Sequence, residues 1–349
     1  MANVKVALWG LGAMGSGIGE LLAKKKGVEI VGAIAHRPDK VGKDLGDVLG
    51  LGKKLGVTVS GESDPSAAWK KKNVDIVLHS TTSATKDAFP QLKTILEAGI
   101  NCITSAEELA YPQAQEPKLA KELDDIAKKH GVSILGTGIN PGFVLDALII
   151  MMTGVCYDVK RIEAARINDL SPFGTHVMET QGVGTTVEEF QAGLKSGHIV
   201  GHIGFPESIA MIANALGWKI DKVEQTREPI ITKVERKTPY VHVKPGMVAG
   251  CKQIGVAYMN GKEVIRLIHP QQIHPELEGV KTGDYIKIEG TPNINVSHEP
   301  EIPGGIGTIA IIVNMIPQVI NAKPGLVTMD MLPIPAALLG DVSAKIEKK

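Results

Sequence analysis

The sequence has little cysteine, no excess of either charge and no apolar run long enough to cross a membrane. Cys102, Cys156 and Cys251 are the three cysteines among 349 residues, and they lack CxxC spacing. This sparse, odd number is typical of a reducing cytoplasm and predicts neither a disulfide framework nor a metal site. The histidines are too scattered to propose a metal centre.

The charge balance gives no reason to expect a polyanionic partner. Lys and Arg number 38, Asp and Glu also number 38, and the formal net charge is zero, so nucleic acid is disfavoured. The opening MANVKVALWG lacks the basic leader and apolar core of a signal peptide. The apolar run at 306–316 is followed by Pro317 and predicts a buried helix, so no membrane partner is expected.

Residues 1–143 are expected to form a doubly wound parallel sheet. Apolar runs of strand length occur at 4–9, 28–35, 74–80, 101–104 and 132–138, with helical segments between them. The order strand, glycine-rich turn, helix, strand at the start is typical of a βαβ unit. The alternation predicts an α/β fold with a Rossmann-type dinucleotide-binding domain, within a chain long enough for about two domains.

The turn after the first predicted strand carries Gly10, Gly12 and Gly15 in the GxGxxG pattern. The first glycine permits the tight turn, the second lets a diphosphate approach the backbone, and the third allows close helix packing. Ala13 and Met14 follow at the start of the helix, whose N-terminus faces the anion, and both are expected to bind the cofactor. At this place in a βαβ unit the pattern predicts a cofactor site; the alternative is a glycine-rich turn without a ligand.

The residues after the second predicted strand favour NADP over NAD. An NAD site usually has an acid there, but this chain has His36, Arg37 and Lys40, and Asp39 lies beyond Pro38. An arginine can pair with a 2′-phosphate, so NADP is expected, with NAD also accepted. The alternative is that these are solvated loop charges.

Further candidates follow the third and fourth predicted strands. Ser80 and Thr81 end the third and complete the expected cofactor-binding set. Glu107 and Glu108 follow the fourth, near the place of a nicotinamide ring. One acid there could take a proton from a substrate or stabilise a developing cation, whereas the alternative for either is a helix-capping role.

The second half predicts a separate α+β domain over 144–303, with a mainly antiparallel sheet. Its runs are short and alternating, and Asn-Gly within 259–262 indicates a hairpin. We assign this domain to substrate binding and dimerisation, because ligands favour domain interfaces and an open sheet offers a surface for a homodimer. Residues 304–349 are expected to form a helix and tail that pack back on the core.

Several polar residues of this region are candidates for substrate binding. Ala164, Arg166 and Asn168 are two apart and should share one face of a strand, although that face could simply be solvated. Asn140 follows the fifth predicted strand, where an Asn before Pro often only shapes a turn. His202 could be a ligand group, but a lone histidine is more often structural.

The motifs WGLGAMGSG, SAEELAYP, GTGINPGF and ARIND resemble those of the 2,4-diaminopentanoate dehydrogenases and native amine dehydrogenases, over nearly the whole chain. The first domain also resembles that of dihydrodipicolinate reductase, but the paired-histidine motif and PSGT segment of that enzyme are absent. The resemblance implies oxidative deamination of 2,4-diaminopentanoate, in ornithine degradation, to 2-amino-4-oxopentanoate and ammonia with NAD(P)+. The reverse reaction would be the reductive amination of a ketone.

The resemblance also implies the roles of individual residues. Glu107 corresponds to the catalytic carboxylate, with Glu108 as the alternative one position on. Arg166 is the expected partner of the substrate carboxylate. The residues that match substrate-pocket positions of the family are Asn140, Arg166, Asn168 and His202.

Three other activities are weighed against this one. The first is an NAD(P)-dependent oxidoreductase of the same architecture that acts on another amine, a cyclic imine or an alcohol. The alcohol is disfavoured, because none of the residues directly after Glu107 is a lysine. A non-catalytic NADP-binding regulatory protein would leave the acid, Arg and Asn without a purpose. A cysteine nucleophile is disfavoured because Cys102 lies in a predicted strand with no histidine close in sequence.

Overall fold

The computed structural model describes residues 2–70 and 73–347. The chain divides into two compact units, one formed by Met1–Phe143 with Gly304–Lys349 and the other by Val144–Pro303. The outermost residues of the expected domains, 1, 348 and 349, lie outside the described part of the chain.

The first unit alternates strands with helices. Its first stretch contains β1 (Val4–Trp9), α1 (Ala13–Leu22), β2 (Val28–Ala35), α2 (Leu45–Val48), β3 (Val59–Gly61), β4 (Ile76–His79), α3 (Thr85–Glu97), β5 (Asn101–Thr104), α4 (Pro117–His130) and β6 (Ser133–Gly136). The central strands β1 and β4 are almost entirely buried, which explains their mainly apolar sequences. The strand β3 was not expected, because a run of three residues carries too little periodicity to be recognised.

The second unit contains the long strands of the chain. Its elements are α5 (Ala147–Thr153), β7 (Asp158–Asp169), α6 (Thr175–Thr180), α7 (Val187–Ser196), α8 (Phe205–Ala215), β8 (Lys222–Ile231), β9 (Arg236–Lys237), β10 (His242–Val243), β11 (Val248–Met259), β12 (Lys262–Gln272), β13 (Gly283–Thr291) and β14 (Ile294–His298). Six strands form one sheet in the order β14-β13-β7-β12-β11-β8. Its pairs are antiparallel except β12 with β7, so the sheet is mixed and mainly antiparallel.

The hairpin predicted at 259–262 joins β11 to β12. Asn260 and Gly261 both have positive φ, of 52° and 71°. This pair of left-handed residues is the type I′ geometry that Asn-Gly favours, because its twist matches that of the flanking strands.

The chain then returns to the first unit through α9 (Gly304–Asn314), α10 (Ile316–Asn321) and β15 (Gly325–Val327). The expected single helix is broken before Pro317, and α9 packs on α1 while α10 packs on β5 and β6. Residues Gly304–Asn321 have the length and apolar composition of a membrane span, but a core helix of a soluble protein also meets that test. The packing on α1 and the sheet is that of a core segment.

The seven-stranded sheet of the first unit has the order β15-β6-β5-β4-β1-β2-β3, and all its pairs are parallel. The order reverses between β1 and β4, because the chain winds outwards from β1 in one direction and from β4 in the other. A doubly wound sheet binds its ligand outside the carboxyl ends of the strands at such a reversal.

Candidate active site

The glycine turn between β1 and α1 has the close backbone approaches that its sequence predicts. Gly10 has φ of 95°, and a Cβ there would lie 2.2 Å from the Ser80 carbonyl oxygen. A Cβ on Gly15 would lie 1.7 Å from the Gly10 carbonyl oxygen, so the third glycine lets the helix pack on the turn. A Cβ on Gly12 would meet no atom of the described residues within 4 Å, which leaves space for a ligand beside this residue. Ala13 and Met14 begin α1 there, so they lie at the helix N-terminus where a diphosphate is expected to bind.

Charged residues lie beyond the end of β2. The Arg37 guanidinium is paired with Asp39 on the surface, with Nε 3.0 Å from Oδ1. The Lys40 ammonium donates to the carbonyl oxygen of Leu11, inside the glycine turn. His36 is highly exposed, and its Nδ1 lies 2.8 Å from Glu62 Oε2. Glu62 follows β3 and is far from His36 in the sequence. The structure therefore places an acidic residue next to this cationic segment that the sequence did not indicate.

The last residue of β4, the buried His79, connects the start of the following loop to neighbouring elements. His79 contacts the hydroxyl of Thr104 through Nδ1 at 2.9 Å and Gln91 through Nε2 at 2.7 Å. Burial lowers the pKa of His79 to about 4, so the ring is neutral at physiological pH. The Thr81 hydroxyl donates to Gln91, so its hydroxyl serves this internal network. Ser80, by contrast, places its backbone carbonyl against Gly10.

Glu107 starts a short 3₁₀ helix, Glu107–Ala110, just beyond β5. This helix is held tightly, because a Cβ on Gly136 would lie 2.1 Å from the Leu109 carbonyl. The Glu107 side chain is half-buried, and desolvation raises its pKa above the ordinary value. A hydrogen bond with Ser83 opposes that shift, and the neighbouring Glu108 adds to it. A carboxylate with a raised pKa at a sheet edge has the properties of a general base.

Glu108 has different surroundings from its neighbour. Its Oε2 accepts a hydrogen bond of 2.7 Å from the backbone N–H of Thr85, the first residue of α3. A carboxylate there satisfies a free donor of the helix end and interacts favourably with the helix dipole. The capping role considered for either acid is therefore taken by Glu108.

Asn140 lies in the loop after β6, in a cis peptide bond to Pro141, and is half-buried. The nearby Ile139 backbone N–H donates to Thr308 on α9, which fixes this loop to the C-terminal segment.

Cys102 lies inside β5, and burial raises the pKa of its thiol far above the ordinary value. Such a thiol is not activated as a nucleophile.

In the second unit, the predicted strand face of β7 is buried rather than solvated. Ala164, Arg166 and Asn168 are 1%, 2% and 5% exposed. The Arg166 guanidinium donates to Asp284 at 2.6 Å and to the Ile302 carbonyl. Asp284 is the residue paired with Arg166 on β13. The expected role of Arg166 towards a substrate carboxylate stays a prediction, and the substrate would have to share this guanidinium with Asp284.

Two histidines lie together above this strand. His202 and His269 have ring centroids 4.7 Å apart in an edge-to-face arrangement, and Phe205 packs on both. Burial, assisted by the Arg166 charge, lowers the pKa of His202 to about 3, and burial also lowers that of His269. His269 is therefore neutral, and its Nδ1 donates to the Arg166 carbonyl at 2.6 Å. Gln253 Oε1 accepts a hydrogen bond of 2.7 Å from the backbone N–H of His202.

Comparisons with known proteins decide the family. A model described as the 2,4-diaminopentanoate dehydrogenase C-terminal domain matches residues 143–348. The chain belongs to the 2,4-diaminopentanoate dehydrogenase family. A second model, for the N-terminus of dihydrodipicolinate reductase, matches residues 4–134, which contain the glycine turn. This member of the dehydrogenase family therefore has a nucleotide-binding domain of the reductase type.

Individual relatives agree with the family models. The 2,4-diaminopentanoate dehydrogenase of Acetoanaerobium sticklandii is 53% identical over 98% of this chain and 96% of its own length. An amine dehydrogenase of Streptomyces virginiae is 23% identical over 95% of this chain and 96% of its own. The structure of an amine dehydrogenase from Mycobacterium smegmatis matches with a TM-score of 0.85 and 30% identity, covering 96% of this chain and 97% of that one.

Sequence reasoning missed several residues of this dehydrogenase's candidate site. His269 and Gln271 are two apart on β12, and the alternation used for β7 would have placed both on one face. Ser83 lies in a loop with no periodicity, and nothing in the sequence indicated its bond to Glu107.

In the described part of the chain, no group of three or more His, Cys, Asp or Glu is arranged to hold a metal.

Proposed function

We propose that this protein oxidatively deaminates 2,4-diaminopentanoate with NAD(P)+, giving 2-amino-4-oxopentanoate, ammonia and NAD(P)H. The observation that carries the proposal is the 53% identity over 98% of the chain to a relative named for this activity. The half-buried Glu107 supports it, because the reaction needs a base that can exchange protons with solvent.

Glu107 is the proposed base. A protonated amine cannot release hydride from its carbon, because the proton holds the nitrogen lone pair that drives the departure. The carboxylate removes this proton from the 4-ammonium group of the substrate. Desolvation raises the pKa of Glu107, and a pKa nearer the operating pH makes a carboxylate a more effective base.

The later steps use the same carboxylate. When bound, the nicotinamide cofactor accepts the hydride from C4 of the substrate. Once Glu107 has passed its proton to solvent, its negative charge stabilises the iminium carbon of the oxidised substrate. It then takes a proton from the water that attacks C4. Glu107 returns this proton to the nitrogen of the carbinolamine, and the C–N bond then breaks as the hydroxyl loses its proton to solvent, which releases ammonia and leaves the ketone.

The cofactor proposal is NADP, with NAD also accepted. The Gly10–Gly15 turn fits a diphosphate, because the space beside Gly12 is open. The pair of Arg37 with Asp39 is exposed, with side-chain exposures of 71% and 54%. Exposed pairs contribute at most about 1 kcal/mol, so a 2′-phosphate can replace Asp39 as the partner of the guanidinium.

Replacement of Arg37 by Ala tests this preference. We expect kcat/KM with NADP to fall about tenfold or more, with NAD changed little, because a charged hydrogen-bonded partner of the 2′-phosphate is lost. Lys43→Ala, which removes an exposed charge of the same region, is the control. Equal losses with both cofactors would contradict the preference.

Substrate recognition is proposed for the second unit and for Asn140. Asn168 and His202 would orient amino groups, and Arg166 would attract the carboxylate while Asp284 fixes its direction. The neutral state of His202 at physiological pH suits this task, since a cationic ring would repel an ammonium group.

A homodimer acting in the cytoplasm completes the proposal. The outward face of the six-stranded sheet carries a half-exposed row with an apolar centre, in which Ile254 pairs with Ile268 and Ile268 with Ala165. Such a face is suited to burial against a second copy. The free cysteines Cys102, Cys156 and Cys251 are compatible with a reducing compartment.

The deciding experiment measures reduced-nicotinamide formation from 2,4-diaminopentanoate with NADP+ and NAD+ separately. Native protein should turn over, and Glu107→Ala should lose activity by about a hundredfold or more while retaining cofactor binding. Turnover that survives in Glu107→Ala would move the base elsewhere. Absence of turnover by native protein with either cofactor would overturn the assignment, and simple amines, cyclic imines and alcohols would then be assayed.

A further inference from the structure

Two buried amide side chains lie next to each other in the second unit with oxygen atoms left over. Asn168 on β7 and Gln271 on β12 are paired residues of neighbouring parallel strands, 5% and 8% exposed. Adjacent strands are about 4.8 Å apart, and both side chains are on the sheet's buried face. The two side-chain amides therefore lie next to each other, and we call Asn168 and Gln271 the amide pair.

The side-chain oxygen atoms of the amide pair have no hydrogen-bond donor in the described part of the chain. Asn168 Oδ1 and Gln271 Oε1 are both buried and have no hydrogen-bond partner among the described residues. Buried carbonyl oxygens in folded proteins are nearly always paired, and two neighbouring exceptions call for an explanation. The Asn168 amide nitrogen has a weak contact of 3.5 Å to the Asp169 carbonyl, which directs the oxygen the other way.

The surroundings of the amide pair limit what it can bind. Arg166, two residues before Asn168, directs its donors to Asp284 and the Ile302 carbonyl. On the far side, Cys251 pairs with Gln271, and its buried thiol packs with Phe190 and Ile199. The β13 pairing with β7 begins at Ile167, so no paired residue of β13 lies beside Asn168.

We propose that the amide pair of Asn168 and Gln271 accepts hydrogen bonds from the non-reacting 2-ammonium group of the substrate. Two acceptor oxygens match a group with three N–H donors, whereas a carboxylate has no donor to offer them. Hydrogen bonds from a charged donor are also the stronger kind. Gln271 thereby becomes a specificity residue for diamino acids, an inference that rests on the proposed function.

The test compares 2,4-diaminopentanoate with 4-aminopentanoate, which keeps the reacting amine and the carboxylate but lacks the 2-amino group. Native protein should prefer the diamino acid in kcat/KM. Gln271→Met should reduce that preference about tenfold to hundredfold and change kcat/KM for 4-aminopentanoate less than about threefold. Gln318→Met is the matched control, since Gln318 Oε1 is likewise buried with no partner among the residues that the structure describes, but lies in the first unit.

A second variant separates an ammonium site from a carboxylate site. Gln271→Glu keeps both acceptor oxygens and adds negative charge, so it should retain the preference for the diamino acid. A pair that binds the carboxylate would instead repel it, and kcat/KM would fall for both substrates. This variant also decides the question if Gln271→Met does not fold, as judged by circular dichroism.

The outcomes are distinguishable from those of the proposed function. No turnover of either amino acid by native protein would overturn the function itself. Turnover with no native preference for the diamino acid would overturn the amide pair alone. The same conclusion would follow from a preference unchanged in Gln271→Met, which would assign the two oxygens to ordered water.

Discussion

Glu107 and Glu108 are neighbours in the chain, and only their surroundings distinguish them. Glu108 accepts from the N–H of Thr85 and so stabilises the start of α3. Glu107 lies where desolvation raises its pKa, and its ionised form is unfavourable in the folded state. One acid thus contributes to the stability of the unit, while the other is held in a state suited to proton transfer.

This difference predicts opposite effects on stability. The folded state holds the Glu107 proton more tightly than the unfolded chain does, so the stability from this group is present at low pH and lost as pH rises through the folded pKa. At about pH 8, Glu107→Gln should therefore raise Tm, and the gain should shrink in acid. Glu108→Gln should lower Tm, because the weakened cap costs about 1 kcal/mol or less of unfolding free energy.

Thermal unfolding of the two variants across pH measures this contrast. A loss of stability in Glu107→Gln at about pH 8 would mean that its carboxylate is stabilised rather than strained by its surroundings. The native protein under the same buffers is the reference.

Ser83 is expected to set the acid limb of the pH profile. Its hydrogen bond lowers the pKa of Glu107, against the larger effect of burial. Removal of that bond in Ser83→Ala should raise the pKa of Glu107. As the pH is lowered, kcat/KM should therefore begin to fall at a higher pH in the variant than in native protein. Profiles of log kcat/KM against pH would show the shift, with Ser63→Ala, an exposed serine elsewhere in the first unit, as the control. An unmoved acid limb would remove Ser83 from this role.

Among the elements, the turn from β1 to α1 separates structural from ligand-related glycines. Gly15 has no room for a Cβ because the Gly10 carbonyl lies 1.7 Å from its position. A Cβ on Gly12 would have no neighbour within 4 Å in the part of the chain that the structure describes, so the fold itself does not require glycine there. The requirement at Gly12 comes from the diphosphate that is expected to lie against it.

Alanine substitutions at these two glycines should therefore have different consequences. Gly15→Ala should destabilise the protein by about 1–3 kcal/mol or more, the range typical of an overpacked site. Gly12→Ala should fold with a nearly native Tm but bind the cofactor about tenfold more weakly or worse. Tm by calorimetry and Kd by fluorescence titration measure the two effects. Native affinity in Gly12→Ala would show that no ligand approaches this backbone.

For the molecule as a whole, the mixed sheet of the second unit presents a face that the unit leaves half-exposed. Arg161 pairs on this face with Glu163, Glu263 and Glu289, so one end of the sheet is highly charged. The row through Ile254 and Ile268 is apolar and adjoins that charged end. A face with both properties is typical of a surface buried between copies, with polar groups around an apolar centre.

We expect sedimentation to give a dimer, and Ile268→Asp to give a monomer. A carboxylate in the middle of the apolar row would be buried without a partner on association. Lys219→Glu changes charge at an exposed position outside that sheet and should leave the dimer intact. A dimer that persists in Ile268→Asp would locate the interface elsewhere.

Much of the first unit was predictable because its signals are local. The GxGxxG turn, the apolar strands and the alternation of helix and strand each depend on residues close in sequence. Asn260 and Gly261 likewise identified their hairpin. The short strands β3 and β15 and the break before Pro317 were missed, since three-residue strands have no measurable period and an apolar run can continue across a helix break.

The amino-acid pattern alone determined the class of fold, the place of the cofactor turn and the strand face shared by Arg166 and Asn168. The tertiary structure decided which acid caps α3, which partner holds Arg166 and which amide lies beside Asn168. These pairs join residues far apart in the chain: Glu108 with Thr85, Arg166 with Asp284, and Asn168 with Gln271. Periodicity specifies the direction of a side chain from its own strand or helix, but the neighbour it meets depends on how separate elements pack.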